Sequence, residues 1–97
     1  MPVRLRPLND ALLALRTPDE ASRFLSDLCT AAELRAFDER WHVAQLLAGG
    51  ELSYREVAAE AHASTTTVVR VAKYLNDSTE QGYRLVLDRL AAQSPHR

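Results

Sequence analysis

An all-α fold of six helices is predicted by three features of this sequence. Its 97 residues hold only three glycines and four prolines, with Pro2 and Pro7 at the start and Pro95 near the end, so little remains to build β-turns. The apolar residues recur at helical spacing rather than alternating. The breaks between them carry boxes of the S/T-x-x-E/Q type, whose two ends satisfy amides that a helix N-terminus leaves orphaned.

Leu8 to Arg16 reads as the first helix. Thr17-Pro18-Asp19-Glu20 opens the second, with proline at the first helical position and Ala21, Phe24, Leu25 and Leu28 on one side. Thr30-Ala31-Ala32-Glu33 opens the longest helix, in which Leu34, Phe37, Trp41, Ala44 and Ala48 form a stripe before Gly49-Gly50 stops it. Ser53-Tyr54-Arg55-Glu56 opens a short fourth helix, and Ser64 to Leu75 makes the fifth. Ser78-Thr79-Glu80-Gln81 is expected to open the sixth, with Tyr83, Val86, Leu87 and Leu90 as its apolar face. No internal repeat, low-complexity segment or interdomain linker interrupts the pattern, so one helical domain is expected over residues 8–92, with flexible tails at 1–7 and 93–97.

Composition bounds the function. A hydrophobic content of 46% with 26% charged residues is globular rather than disordered. A monomer this small leaves roughly 35–40% of its unfolded-state surface exposed, and association of two copies is a common remedy. The single cysteine, Cys29, makes no internal disulfide, and the N-terminus carries no apolar run long enough for a signal peptide or membrane span, which points to the cytoplasm. Twelve Lys and Arg against thirteen Asp and Glu give net charge −1, so nucleic-acid binding has to rest on a local patch.

That patch is sought in LSYREVAAEAHASTTTVVRVAKYLN, Leu52 to Asn76. A helix from Tyr54 to Ala61, the three residues His62-Ala63-Ser64 and a second helix make the helix-turn-helix spacing, here placed at residues 53–76. Ala58 is the small residue needed where the helices cross, and Val57, Ala61, Val68 and Val71 supply the facing apolar groups. On the second helix Val68, Val71 and Leu75 cluster on one side, while Thr66, Arg70 and Lys73 cluster opposite. Ser64, Thr65, Thr66 and Thr67 fill its first turn, which costs helix propensity but presents short hydroxyl and methyl groups where a recognition helix enters the major groove. Thr65, Thr66 and Val69 are placed to read base edges. Arg55 at the head of the first helix and Lys73 are placed to reach phosphates or a guanine at the edge of a half-site, Arg70 lies between and could do either, and Ser53 and Tyr54 beside Arg55 are also expected to face DNA. His62 departs from the usual pattern, because this turn position takes φ > 0 and normally holds glycine.

The pattern DLCTxxELRAFxERWxVAxLLxxGxxSYREVAxExxASTxTVxRVxxxLN, followed by GYRLVLDRL, resembles the tryptophan repressor superfamily in its YerC/YecD-type branch, over Leu8 to about Leu90. The resemblance implies a tryptophan-repressor-like fold and an intertwined homodimer that presents two recognition helices to a near-palindromic operator. In that family tryptophan is gripped by an arginine on the long helix, an arginine in the recognition helix and a threonine at the head of the long helix, and Arg40, Arg70 and Thr30 stand at the matching positions. The family's indole slot needs a glycine directly after the second arginine and a serine three residues on, where this chain has Val71 and Tyr74. A branched side chain and a ring should fill that space, so tryptophan is not the expected effector. A smaller acidic effector is one reading of the remaining carboxylate site; the other has Arg40 paired with acidic neighbours and Arg70 facing phosphates.

Catalytic and metal chemistry have little support. His42, His62 and His96 lack Cys or carboxylate partners at ligand spacing, and Cys29 at the end of an apolar stripe reads as a small buried thiol rather than a nucleophile. Glu33, Asp38 and Glu39 read as capping and helix surface, Gly49-Gly50 as a helix stop, and Trp41 as core. The expected function is therefore a dimeric regulator that binds double-stranded DNA, with no cofactor, metal, membrane association or enzymatic activity. The alternative is a helical interaction module on the same scaffold. Arg55, Arg70 and Lys73 against Glu56 and Glu60 leave residues 52–76 with a surplus of only one positive charge, which keeps that alternative open.

Overall fold

The computed structural model of the chain describes residues 4–93. The remaining parts of the expected tails, with Pro2, Pro95 and His96, lie outside the described residues. Six helices follow in order: α1 (Leu8–Ala14), α2 (Pro18–Leu28), α3 (Ala31–Gly49), α4 (Tyr54–Ala61), α5 (Thr65–Asp77) and α6 (Gly82–Gln93), with no strand among the described residues. Two compact units are present, Met1–Arg35 and Ala36–Arg97, so the boundary falls inside α3.

In the first unit, α1 stops at Ala14 rather than continuing to Arg16. Leu15 is extended, and the Arg16 amide donates to Glu20 Oε1 at 2.8 Å, which draws the expected last turn of α1 into the N-terminal cap of α2. Thr17 Oγ1 accepts from the Glu20 amide at 3.1 Å and Pro18 takes the first helical position, as the box requires. The box at the head of α3 closes in both directions: Glu33 N donates to Thr30 Oγ1 at 3.1 Å, and Thr30 N to Glu33 Oε1 at 2.8 Å. Cys29, expected as a buried thiol, is the half-buried C-cap of α2. No residue of α1 or α2 is buried, and Leu5 and Leu13 are 92% and 84% exposed.

The second unit holds the core. Val43, Ala44, Val57, Ala58, Ala61, Val68 and Val71 cluster, with Trp41, Leu46, Leu47, Leu52, Ala63 and Tyr83 packed partly buried against them. Each fully buried valine contributes roughly 1.5–3 kcal/mol through removal of its surface from water. On α3 the buried face runs through Val43 and Ala44, whereas Phe37 and Ala48 of the expected stripe are exposed. The end of α3 is apolar on most sides, so periodicity alone did not select the face that α4 and α5 cover. Gly49 is the last helical residue and Gly50, at φ 74°, ends the helix.

The fourth box does not open α6. Helix α5 runs to Asp77, two residues beyond the expected end, and makes Ser78 its C-cap. Ser78 Oγ accepts from the amides of Glu80 and Gln81 at 3.0 and 3.1 Å, so half of the box is made, but the residues it binds form a turn. Gln81 at φ 54° then reverses the chain into α6, which starts at Gly82.

Candidate nucleic-acid interface and adjoining cavity

The helix-turn-helix is built as its residues demand. Ser53 Oγ accepts from the Glu56 amide at 3.1 Å, and Glu56 Oε1 accepts from the Ser53 amide at 2.8 Å, closing the box at the head of α4. The hydrogen bonds from the Ser53 backbone and then its side chain hold the Glu56 carboxyl below the usual carboxylate range. At the other end His62 adopts the left-handed conformation, φ 55° and ψ 41°. The following amide, Ala63 N, reaches back to the Ala58 carbonyl at 2.9 Å, while His62 N donates to the Ala59 carbonyl at 3.4 Å. Val57, Ala58 and Ala61 are buried, as are Val68, Val71, Ala72 and Leu75 of α5, so α4 and α5 pack through small and branched side chains.

The opposite face of α5 is open. Thr65, Thr66, Val69, Arg70 and Lys73 are all exposed, Val69 at 57% despite its apolar side chain. Among the ten expected DNA-facing positions, the N-cap of α5 and one residue of its first turn are partly committed elsewhere: Ser64 Oγ accepts from the Thr67 amide at 3.1 Å and donates to Thr67 Oγ1 at 3.1 Å. Thr67 is half-buried. Ser53 is likewise engaged in its own box, whereas Tyr54 and Arg55 stand exposed beside it on the first turn of α4.

Arg70 has a second neighbour. Its guanidinium lies 5.1 Å from the centre of the Tyr74 ring, one turn further along α5. Both side chains line a cavity of ≈ 390 Å³ with Arg40, Ser78, Glu80, Gly82 and Tyr83. Two guanidinium groups, one carboxylate and two phenol rings meet there, a lining suited to an anion that also offers a flat or hydrogen-bonding surface. Arg40 also lies 5.9 Å from the Phe37 ring centre on its own helix. Thus Arg40 and Arg70, two of the three expected carboxylate ligands, share a cavity; the third, Thr30, belongs to the first unit and spends its hydroxyl on the α3 cap. Val71 points into the core and Tyr74 lines the cavity, so only the ring stands in the space where both were expected.

Sequence reasoning did not single out Ser78, Glu80 and Tyr83 as cavity residues, because the turn that places them follows from the extended end of α5. It also missed Arg84 of α6, whose Nε donates to the Leu75 carbonyl at 3.1 Å and whose Nη2 donates to Asn76 Oδ1 at 3.1 Å. The only signal was indirect: the last turn of α5 contains no basic residue of its own. Trp41 packs against the core as expected. Among the described residues no group of His, Cys, Asp and Glu could hold a metal ion, and no helix is long and apolar enough to cross a membrane.

Comparison with known proteins agrees with this architecture. Residues 4–91 match the family model described as Trp repressor protein. The uncharacterized protein YerC of Bacillus subtilis is 36% identical over 86 residues, which cover 89% of this chain and 81% of YerC. The crystal structure of a TrpR-like protein from Eubacterium eligens superposes with a TM-score of 0.79 at 35% identity, over 91% of this chain and 89% of that one. A Staphylococcus aureus structure described as a candidate Trp repressor gives a TM-score of 0.79 at 32% identity, over 91% and 86% of the two chains. With six helices, a helix-turn-helix at α4 and α5 and a family match over nearly its whole length, this chain belongs to the Trp repressor family.

Proposed function

We propose that the protein is a sequence-specific DNA-binding transcription regulator of the cytoplasm that acts as a repressor, occupying a near-palindromic operator as a homodimer. The observation that carries this reading is the outward face of α5: Thr65, Thr66, Val69 and Lys73 exposed together on a helix held from behind by α4. Short hydroxyl and methyl groups at a helix N-terminus suit base edges and thymine methyls, and Arg55 and Lys73 suit phosphates. The dimer is supported by the poverty of the core, in which the buried residues among those described are four valines, four alanines and one leucine, while leucines of α1 and α6 lie exposed. Selection of duplexes by the full chain from a random library tests the reading: a recurrent two-fold-related sequence is expected. Recovery of no preferred sequence would leave the scaffold as a protein-interaction module.

The cavity supports a second element of the proposal. Arg40 and Arg70 provide for a small acidic effector, and Tyr74, with Arg70 over its ring, lines the same cavity. Tryptophan is not proposed as the effector, because Tyr74 stands at the sequence position where the family's indole slot has a serine.

A further inference from the structure

We propose that Arg84 is a positioning residue for operator recognition, which sets the half-site spacing that the dimer accepts. The inference rests on the reading of the protein as a DNA-binding dimer and deepens it. The carboxyl end of α5 leaves carbonyls without partners and carries the negative end of the helix dipole. No basic residue of the last turn of α5 answers it. Arg84 does so from α6, with Nε on the Leu75 carbonyl and Nη2 on Asn76 Oδ1, both at 3.1 Å. Two donors of one planar group on two acceptors from successive residues fix direction as well as distance, which a single contact or a lysine does not.

The connection between the helices is fixed by the same logic. Ser78 Oγ holds two amides of the turn, and Gln81 takes φ 54°, so the turn has little freedom to lengthen or swing. Immediately after Arg84, Leu85 and Val86 are 50% and 45% exposed, and in the proposed dimer this apolar surface meets the second copy. In that dimer the path from the DNA-reading helix to the second copy runs through α5, the Arg84 clasp and one turn of α6. In a two-fold dimer, half-site spacing follows from the separation and angle of the two recognition helices. A clasp at this point governs that angle without touching a base.

The test compares the full-length protein with Arg84→Gln and Arg84→Lys on duplexes that carry the selected half-sites at the selected spacing or displaced by one base pair. The unaltered protein should prefer its own spacing by about tenfold or more. Arg84→Gln should read the same bases but prefer that spacing by no more than about threefold, with Arg84→Lys in between because it keeps the charge and loses the fork. A merely structural arginine would lower the melting temperature or weaken all duplexes alike, so an unchanged spacing ratio in Arg84→Gln overturns the proposal. If Arg84→Gln does not fold, Asn76→Ala removes one acceptor only and must shift the ratio in the same direction; an unchanged ratio there also overturns it. Failure of the unaltered protein to select any duplex would overturn the DNA-binding reading and this inference together, whereas an unchanged ratio defeats the inference alone.

Discussion

Among the residues of α5, exposure sorts the threonines by task. Ser64 and Thr67 exchange hydroxyl and amide bonds to start the helix, whereas Thr65 and Thr66 face outward. Thr66→Ala should accordingly change which base is preferred, at a cost of about 1–3 kcal/mol on the best site, and leave the fold intact; selection with the variant from a random library checks this. Glu56 offers a test of the capping box by pH. Its folded-state pKa is depressed by the Ser53 bonds, so the stability it contributes is present above the ordinary carboxylate range and is lost as pH falls through the folded value. Glu56→Gln keeps a neutral hydrogen-bond acceptor but cannot titrate, and thermal melts of that variant should lose part of the acid-side decline seen with the unaltered chain. At this scale much was legible, because capping and face assignment depend on neighbours three or four residues apart. The commitment of Arg70 to Tyr74 was not foreseen, although the two stand four residues apart, because the same residues are equally consistent with an arginine pointing at phosphates.

Elements show where local rules yield to packing. Helix α4 has the limits expected of it, since its box, its apolar face and its left-handed end are all encoded between Ser53 and His62. Helix α6 starts later than its box implies: α5 continues through Asp77, Ser78 becomes its C-cap, and the two helices pack against each other across the turn. The core face of α3 was likewise ambiguous until α4 and α5 covered Val43 and Ala44. A substitution at the turn isolates the backbone contribution: His62→Gly removes a side chain from φ 55° and should raise stability by about 0.5–1 kcal/mol, the gain being reduced by the greater freedom of glycine in the unfolded chain. Equilibrium unfolding measures it, and a loss of stability would show that the His62 side chain makes a contribution larger than the strain. Ala58→Leu, in contrast, inserts bulk where α4 and α5 cross and should destabilise by about 1–3 kcal/mol.

For the whole molecule, the balance between a small core and exposed apolar helices makes association the central expectation. Light scattering on the dilute protein should give twice the chain mass, and a folded monomer at micromolar concentration would contradict the dimer. Millimolar tryptophan should produce no thermal shift, since any ligand held by the native state alone stabilises it by RT ln(1 + [L]/Kd), about 2.7 kcal/mol at a hundredfold excess over Kd. None of this scale could be read from periodicity, because neither the number of copies nor the cavity formed by Arg40, Arg70 and Glu80 is a local property. The family resemblance anticipated the two arginines, while the segment that brings Glu80 beside them carried the signal of a helix start rather than of a turn. The central claim is that the outward face of α5 anchors on phosphates and reads bases. Its most direct measurement is the salt dependence of affinity for the selected duplex, taken with the unaltered chain, Lys73→Ala and Thr66→Ala. If each chain neutralises about three phosphates, log K should fall against log salt with a slope of about −5, flattened by about two units per dimer in Lys73→Ala and unchanged in Thr66→Ala. Equal affinities and equal slopes for all three proteins would contradict the account, because neither anchoring nor readout would then reside on α5.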